Sequence, residues 1–112
     1  MVKLTDNNFN LKNKQLKTIN NKLSIVFIYA DWCIHCQNFK PIFNKTKSLI
    51  KNMNFYTSDS QDIQNTGIMK TFKVSSFPCI LLFDKDGIFI SEYKGPRDTV
   101  ISFKKNLKNI IT

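Results

Sequence analysis

Leu23-Ser24-Ile25-Val26-Phe27-Ile28-Tyr29-Ala30-Asp31-Trp32-Cys33-Ile34-His35-Cys36 decides how this chain folds. Leu23 to Tyr29 is nearly continuous in apolar character, the signature of a strand covered on both faces. The period then changes. Cys36, Phe39, Phe43, Thr46, Ile50 and Met53 recur at spacings of three and four, which predicts an amphipathic helix from Cys33 to about Asn52. Lys40, Lys45, Lys47 and Lys51 fall off its buried stripe, and Pro41 inside it predicts a kink. A strand running directly into a helix puts Cys33 and Cys36 on the first turn, three positions apart, where they can close a disulfide with each other. Cys33 also sits where unpaired N–H groups and the helix dipole favour a thiolate.

Working outward, Val2-Lys3-Leu4 reads as a short strand, and Thr5 or Asp6 as the cap of a helix reaching about Asn20. Phe9, Leu16 and Ile19 are its candidate core residues. Asn54 to Ser58 suits a third central strand, and Asp62 to about Thr71 a short helix. Cys79 to Phe83 and Gly87 to Tyr93 flank Asp84-Lys85-Asp86-Gly87, a hairpin whose glycine can take a positive φ. Gly95-Pro96-Arg97-Asp98 stops the last strand and opens a terminal helix with Val100, Phe103, Leu107 and Ile110 as its buried stripe. The order β-α-β-α-β-α-β-β-α predicts one α/β domain over residues 1–112, with a central mixed sheet of four to five strands and helices on both faces.

Composition narrows the function classes. No apolar run approaches the ~20 residues that cross a bilayer, and Met1 to Asp6 lacks the apolar stretch of a secretory signal, so a cytoplasmic protein without a membrane role is expected. Three cysteines are too few and too odd for a disulfide framework, which leaves redox or metal chemistry. The net charge of +9 comes from sixteen Lys and one Arg against eight acids. The lysines are dispersed along every segment and do not interleave with aromatics, so a generally basic surface is expected and nucleic-acid binding is not.

Taken together, these segments resemble the thioredoxin fold family, and are most similar to single protein disulfide isomerase-type domains. Phe27 to Pro41 is similar to that family's strand-to-helix active-site segment, proline included. Val74-Ser75-Ser76-Phe77-Pro78 before an apolar strand is similar to its cis-proline loop, and Gly95 to a late glycine. Cys-x-x-Cys alone also occurs in zinc sites; the preceding Trp32 and the Phe77-Pro78 pair make the likeness specific. On sequence physics alone Pro78 reads as trans; the resemblance makes it cis.

The resemblance implies a thiol–disulfide oxidoreductase acting on disulfide-containing proteins. A reductase or thiol pool would donate electrons, no organic cofactor or metal would be needed, and the chain would act as a monomer. Cys33, exposed at the helix start, would attack and Cys36 would resolve the mixed disulfide. Trp32, Phe77 and Pro78 would form the substrate wall, and His35, between the thiols, would favour the Cys33 thiolate. Three positions depart from the family pattern. Phe27, six before Cys33, stands where many relatives carry a buried acid that moves the resolving cysteine's proton. Asp31 reads as a solvated loop carboxylate. Cys79 follows Pro78 where a hydroxyl is usual, and reads as a half-buried strand thiol placed close to the pair. The second function carried forward is a client-binding module, or a zinc or iron–sulfur site on Cys33, Cys36 and Cys79 with His35 nearby, without efficient redox turnover.

Overall fold

The computed structural model describes residues 2–18 and 20–111, and the largest departure from expectation lies at its N-terminus. Among the described residues between Thr5 and Asn20 no α-helix forms. Asp6–Asn8 and Leu11–Asn13 are single 3₁₀ turns, and Phe9–Asn10 (β1) pairs antiparallel with Gln15–Leu16 (β2). The segment carries Asn7, Asn8, Asn10 and Asn13, whose amides compete with helix hydrogen bonds and favour turns. Asn8 accepts from the Thr5 N–H at 2.8 Å, and Lys14 takes φ 50° to close the hairpin. Phe9 and Leu16 still reach the core, now from facing positions of two strands; the expectation for Ile19 lies outside the described residues. Val2-Lys3-Leu4 is reduced to one parallel bridge, Lys3 to Thr57, with the Leu4 N–H donating to the Thr57 carbonyl at 2.7 Å.

The remaining elements follow the predicted order: Leu23–Tyr29 (β3), Ile34–Leu49 (α1), Met53–Asp59 (β4), Thr66–Thr71 (α2), Cys79–Phe83 (β5), Phe89–Glu92 (β6) and Val100–Ile111 (α3). Pro41 lies inside α1 without ending it. The helix stops short of Asn52 because Ile50 turns extended (φ −116°) and buries its side chain on the way to β4. The predicted Asp62–Thr71 helix divides into a 3₁₀ turn at Ile63–Asn65 and α2. Asp6, expected to cap its own helix, caps this one: its carboxylate accepts from the Gly67 and Ile68 N–H groups at 2.8 Å each. In α3, Phe103 and Leu107 are buried, but Ile110 is exposed at the end of the stripe.

The main sheet is mixed and four-stranded in the order β4-β3-β5-β6, with β3 parallel to β4 and antiparallel to β5. Alternation along the strands divides the core. Ile25, Phe27, Ile80 and Leu82 join Phe39, Phe43, Phe103 and Leu107 from α1 and α3. Val26, Ile28, Cys79, Leu81 and Phe83 join Phe9, Leu16 and Ile68 on the other face. Gly87 takes φ +81° in the β5–β6 turn, and a Cβ there would collide with the Leu16 carbonyl, so the turn and β2 can approach only at a glycine. Among the described residues no helix is long and apolar enough to cross a membrane.

Candidate active site

Cys33 is the N-cap of α1, with extended backbone (φ −86°, ψ 112°). The loop before it is closed by the Cys33 N–H donating to the Ala30 carbonyl at 3.1 Å, and by the Gln37 side chain donating to the Asp31 carbonyl at 2.9 Å. This turns the Cys33 side chain back over the helix start, where its Sγ accepts from the Cys36 N–H at 3.2 Å. A backbone N–H and a helix N-terminus aimed at one sulfur favour negative charge on it. On its other side the Cys33 thiol donates to the Phe77 carbonyl at 3.6 Å.

Cys33 was expected to be exposed and is not: only 5% of its surface is accessible. As N-cap it folds inward between the first helical turn and the 75–78 loop. All three cysteines are free thiols. Cys36 is buried, and burial, followed by its hydrogen bond with Cys33, pushes its thiol up to about 12. The two sulfurs therefore occupy unlike surroundings: one receives a main-chain donor, the other sits desolvated behind it.

Around them the expected surface assembles. The Phe77–Pro78 bond is cis, as the family resemblance implied. Trp32 is 68% exposed and meets the half-buried Phe77 edge to face at 5.8 Å between ring centres. Ile34, 60% exposed, extends the apolar rim from the first turn of α1. His35 and Asp31 are both exposed, so Asp31 is the solvated carboxylate expected. Phe27 is fully buried where a carboxylate was looked for. Its ring lies 5.0 Å from Phe39 and 5.3 Å from Phe43, in an aromatic stack that continues to Phe55 and Phe103.

Cys79 is not brought to the pair. As the first residue of β5 it opposes Ile28 and points to the α2 face, whereas Cys33 and Cys36 belong to the α1 face. It is fully buried rather than half-buried, and burial, with a smaller contribution from Glu92, pushes its thiol up to about 12. Among the described residues no three His, Cys, Asp or Glu side chains gather as a metal-ligating group. The alternative of a metal site on Cys33, Cys36 and Cys79 is thereby corrected: Cys79, the first residue of β5, packs in the core on the opposite side of the sheet from Cys33 and Cys36.

Arg97 is the sole arginine and lies in the stretch that stops the last strand. Its guanidinium donates to the Pro78 carbonyl at 3.5 Å and the Tyr93 carbonyl at 3.2 Å, and lies 5.9 Å from the centre of the Tyr93 ring. It ties the Pro78 loop to the end of β6. Tyr93 in turn donates to the Pro96 carbonyl at 2.6 Å, and a Cβ on Gly95 would collide with that hydroxyl. Being the only Arg was the one available signal; the contact itself needed the fold.

Residues 1–109 match the thioredoxin family model. The chain is 32% identical over 78 residues to a protein disulfide-isomerase of Datisca glomerata, covering 66% of this chain and 15% of that one. It spans only about 15% of the length of such curated relatives. Among solved structures, human ERp44 superimposes with a TM-score of 0.78 at 25% identity, over 99% of this chain and 33% of that one. Mitochondrial thioredoxin 3 of Saccharomyces cerevisiae, in its oxidised form, gives a TM-score of 0.72 at 24% identity over 97% and 94%.

Proposed function

The chain belongs to the thioredoxin family of thiol–disulfide oxidoreductases, and from that premise we propose that it exchanges disulfides with protein substrates through Cys33 and Cys36. The observation that carries this is the Cys36 N–H aimed at the Cys33 sulfur at 3.2 Å, on the first turn of a helix and beside the Phe77 carbonyl. Cys33 attacks a client disulfide; one client sulfur leaves with a proton, and a Cys33–client mixed disulfide forms. Cys36 then loses its proton and attacks the Cys33 sulfur. The client departs as a dithiol, two electrons poorer Cys33–Cys36 remains as a disulfide, and a reductase or thiol pool restores it. Trp32, Phe77 and Pro78 bear the substrate, and His35 tunes the pair. A cytoplasmic setting belongs to the same proposal; in an oxidising one the steps run in reverse.

Insulin reduction by a thiol donor tests this with wild type and Cys33→Ser. Wild type should accelerate precipitation and the variant should not; equal, negligible activity would sink the enzyme and favour a client-binding module built on the exposed Trp32 and Ile34. Direction follows from the equilibrium potential against glutathione: a value near ~−270 mV marks a thioredoxin-like reductant and one near ~−180 mV an isomerase-like role.

A further inference from the structure

The acids of this chain are unevenly placed. Of the eight, none lies between residues 32 and 58 and none follows Asp98. Those two spans contain α1 and α3, which pack together on one face of the sheet, Phe39 meeting Phe103 at 5.1 Å between ring centres. The layer they form carries Lys40, Lys45, Lys47 and Lys51 from the first span and Lys104, Lys105 and Lys108 from the second. The acids nearest in sequence, Asp31 and Asp98, precede the two helices at their N-terminal ends. On the other side of the sheet Asp6 caps α2 and Asp62 caps the turn before it, so the signs are mixed there and single here.

Within α3 the charge gathers on one stripe. Ile101, Lys104, Lys105 and Lys108 fall at i, i+3, i+4 and i+7, and together they line a shallow hollow of about 290 Å³. Ile101 is 81% exposed beside these lysines, whereas the core takes Phe103 and Leu107 from the opposite stripe. The arrangement works against the free helix. Lys104 and Lys108 are like charges at i, i+4, which repel, and only Lys108 lies in the last turn, where a cation complements the dipole.

We propose that this stripe of α3 is a docking site for an acidic polypeptide segment carrying an apolar side chain. Its carboxylates lie among Lys104, Lys105 and Lys108, its apolar side chain covers Ile101, and the α1 lysines extend the attraction beyond the contact. Two other anions fit the layer less well. A nucleic acid would use arginine and stacking rings, but the single Arg lies outside both spans and Phe39, Phe43 and Phe103 are buried. A membrane surface would take a continuous apolar face, which α3 has already turned to the core. The docking site is independent of the exchange reaction at Cys33 and Cys36.

Anisotropy of a fluorescein-labelled peptide of Glu and Asp around one central Leu, titrated with the full chain, tests this. Wild type should bind it and lose affinity as salt is raised. Lys104→Glu/Lys105→Glu should weaken binding by about tenfold or more, and Ile101→Ser by about three- to tenfold. Lys12→Glu/Lys17→Glu makes the same change of net charge in the N-terminal segment and should weaken it less than about threefold. A carboxylate at position 104 faces Lys108 favourably, so the urea midpoint of the α3 variant should stay at or above that of wild type. Should that variant not fold, Lys104→Gln/Lys105→Gln removes the charges without reversing them and should still weaken binding about three- to tenfold. Equal losses in the two reversal variants would reduce the effect to net charge and overturn the site, as would no binding by wild type. Unaltered affinity in Ile101→Ser would overturn the apolar anchor and with it the proposed segment. Tighter binding to a DNA duplex or to phosphatidylglycerol vesicles than to the peptide would assign the stripe to those anions and overturn it equally.

Discussion

Cys33 and Cys36 differ by one helical turn and by nearly everything that governs a thiol. The first caps α1 and receives a main-chain N–H; the second is held protonated by burial and by its neighbour. This asymmetry makes a definite prediction for Cys36→Ser: the mixed disulfide with a client peptide should accumulate as a stable adduct, visible as the summed mass on a non-reducing intact spectrum. Rapid loss of the adduct would assign resolution to another group. His35 is exposed beside the pair. A positive charge there favours the reduced, thiolate-bearing form, so its removal in His35→Gln should make the pair less oxidising, by about 10–30 mV toward negative potential. Equilibration with glutathione buffers reads this directly, and an unchanged potential would reduce His35 to a solvated side chain. The departure at Phe27 has its own logic at this scale. The ring completes an aromatic stack with Phe39 and Phe43, each such pair contributing about 0.5–1.5 kcal/mol beyond the area it buries, so an apolar ring at this position serves the core.

Among the elements, the β5–β6 hairpin shows how one residue can serve two constraints. Gly87 is at φ +81° and in contact with the Leu16 carbonyl, while Leu16 donates its own N–H to the Gly87 carbonyl at 2.7 Å. Gly87→Ala should therefore destabilise the fold by about 1–3 kcal/mol, from left-handed backbone strain with the collision added. Urea denaturation monitored by Trp32 fluorescence would register this as a lower midpoint, and a loss under half a kcal/mol would mean that the hairpin yields easily. The hairpin's glycine was legible in the sequence because turn chemistry is local. Its second role was not, because nothing in residues 84–87 announces that residue 16 will dock there. The same distinction explains the lost N-terminal helix. Phe9 and Leu16 were correctly read as core residues from their apolar character, but seven-residue spacing suits a helix and a hairpin alike. Asparagine-rich turns and docking against β6 decided between them.

For the whole molecule, the buried acids of highest pKa set the alkaline limit. Cys36, Cys79 and Tyr93 are each pushed up to about 12 by burial, from ordinary values of 9.0, 9.0 and 10.0. Above pH 9 the unfolded chain releases these protons while the folded, reduced protein retains them. Stability is then fully present below pH 9 and lost as pH rises toward 12, each protected group steepening the fall by up to about 1.4 kcal/mol per pH unit. Urea midpoints of the reduced protein should decline across this window, and Cys79→Val should flatten the decline; a level profile would mean the thiols ionise without unfolding. The sequence by itself determined the strand-to-helix switch at Cys33, the order of strands and helices from Leu23 onward, and the placing of two thiols on one turn. Each of these depends on periodicity or spacing within a few residues. Only the tertiary structure decided that Cys33 is covered, that Cys79 faces away from the pair, that Asp6 caps α2, and that Arg97 ties the Pro78 loop to the end of β6. Those outcomes depend on which face of a strand a side chain takes and on which distant segment packs against it. Contacts of that kind are selected by burial of the whole core and leave no local mark in the chain.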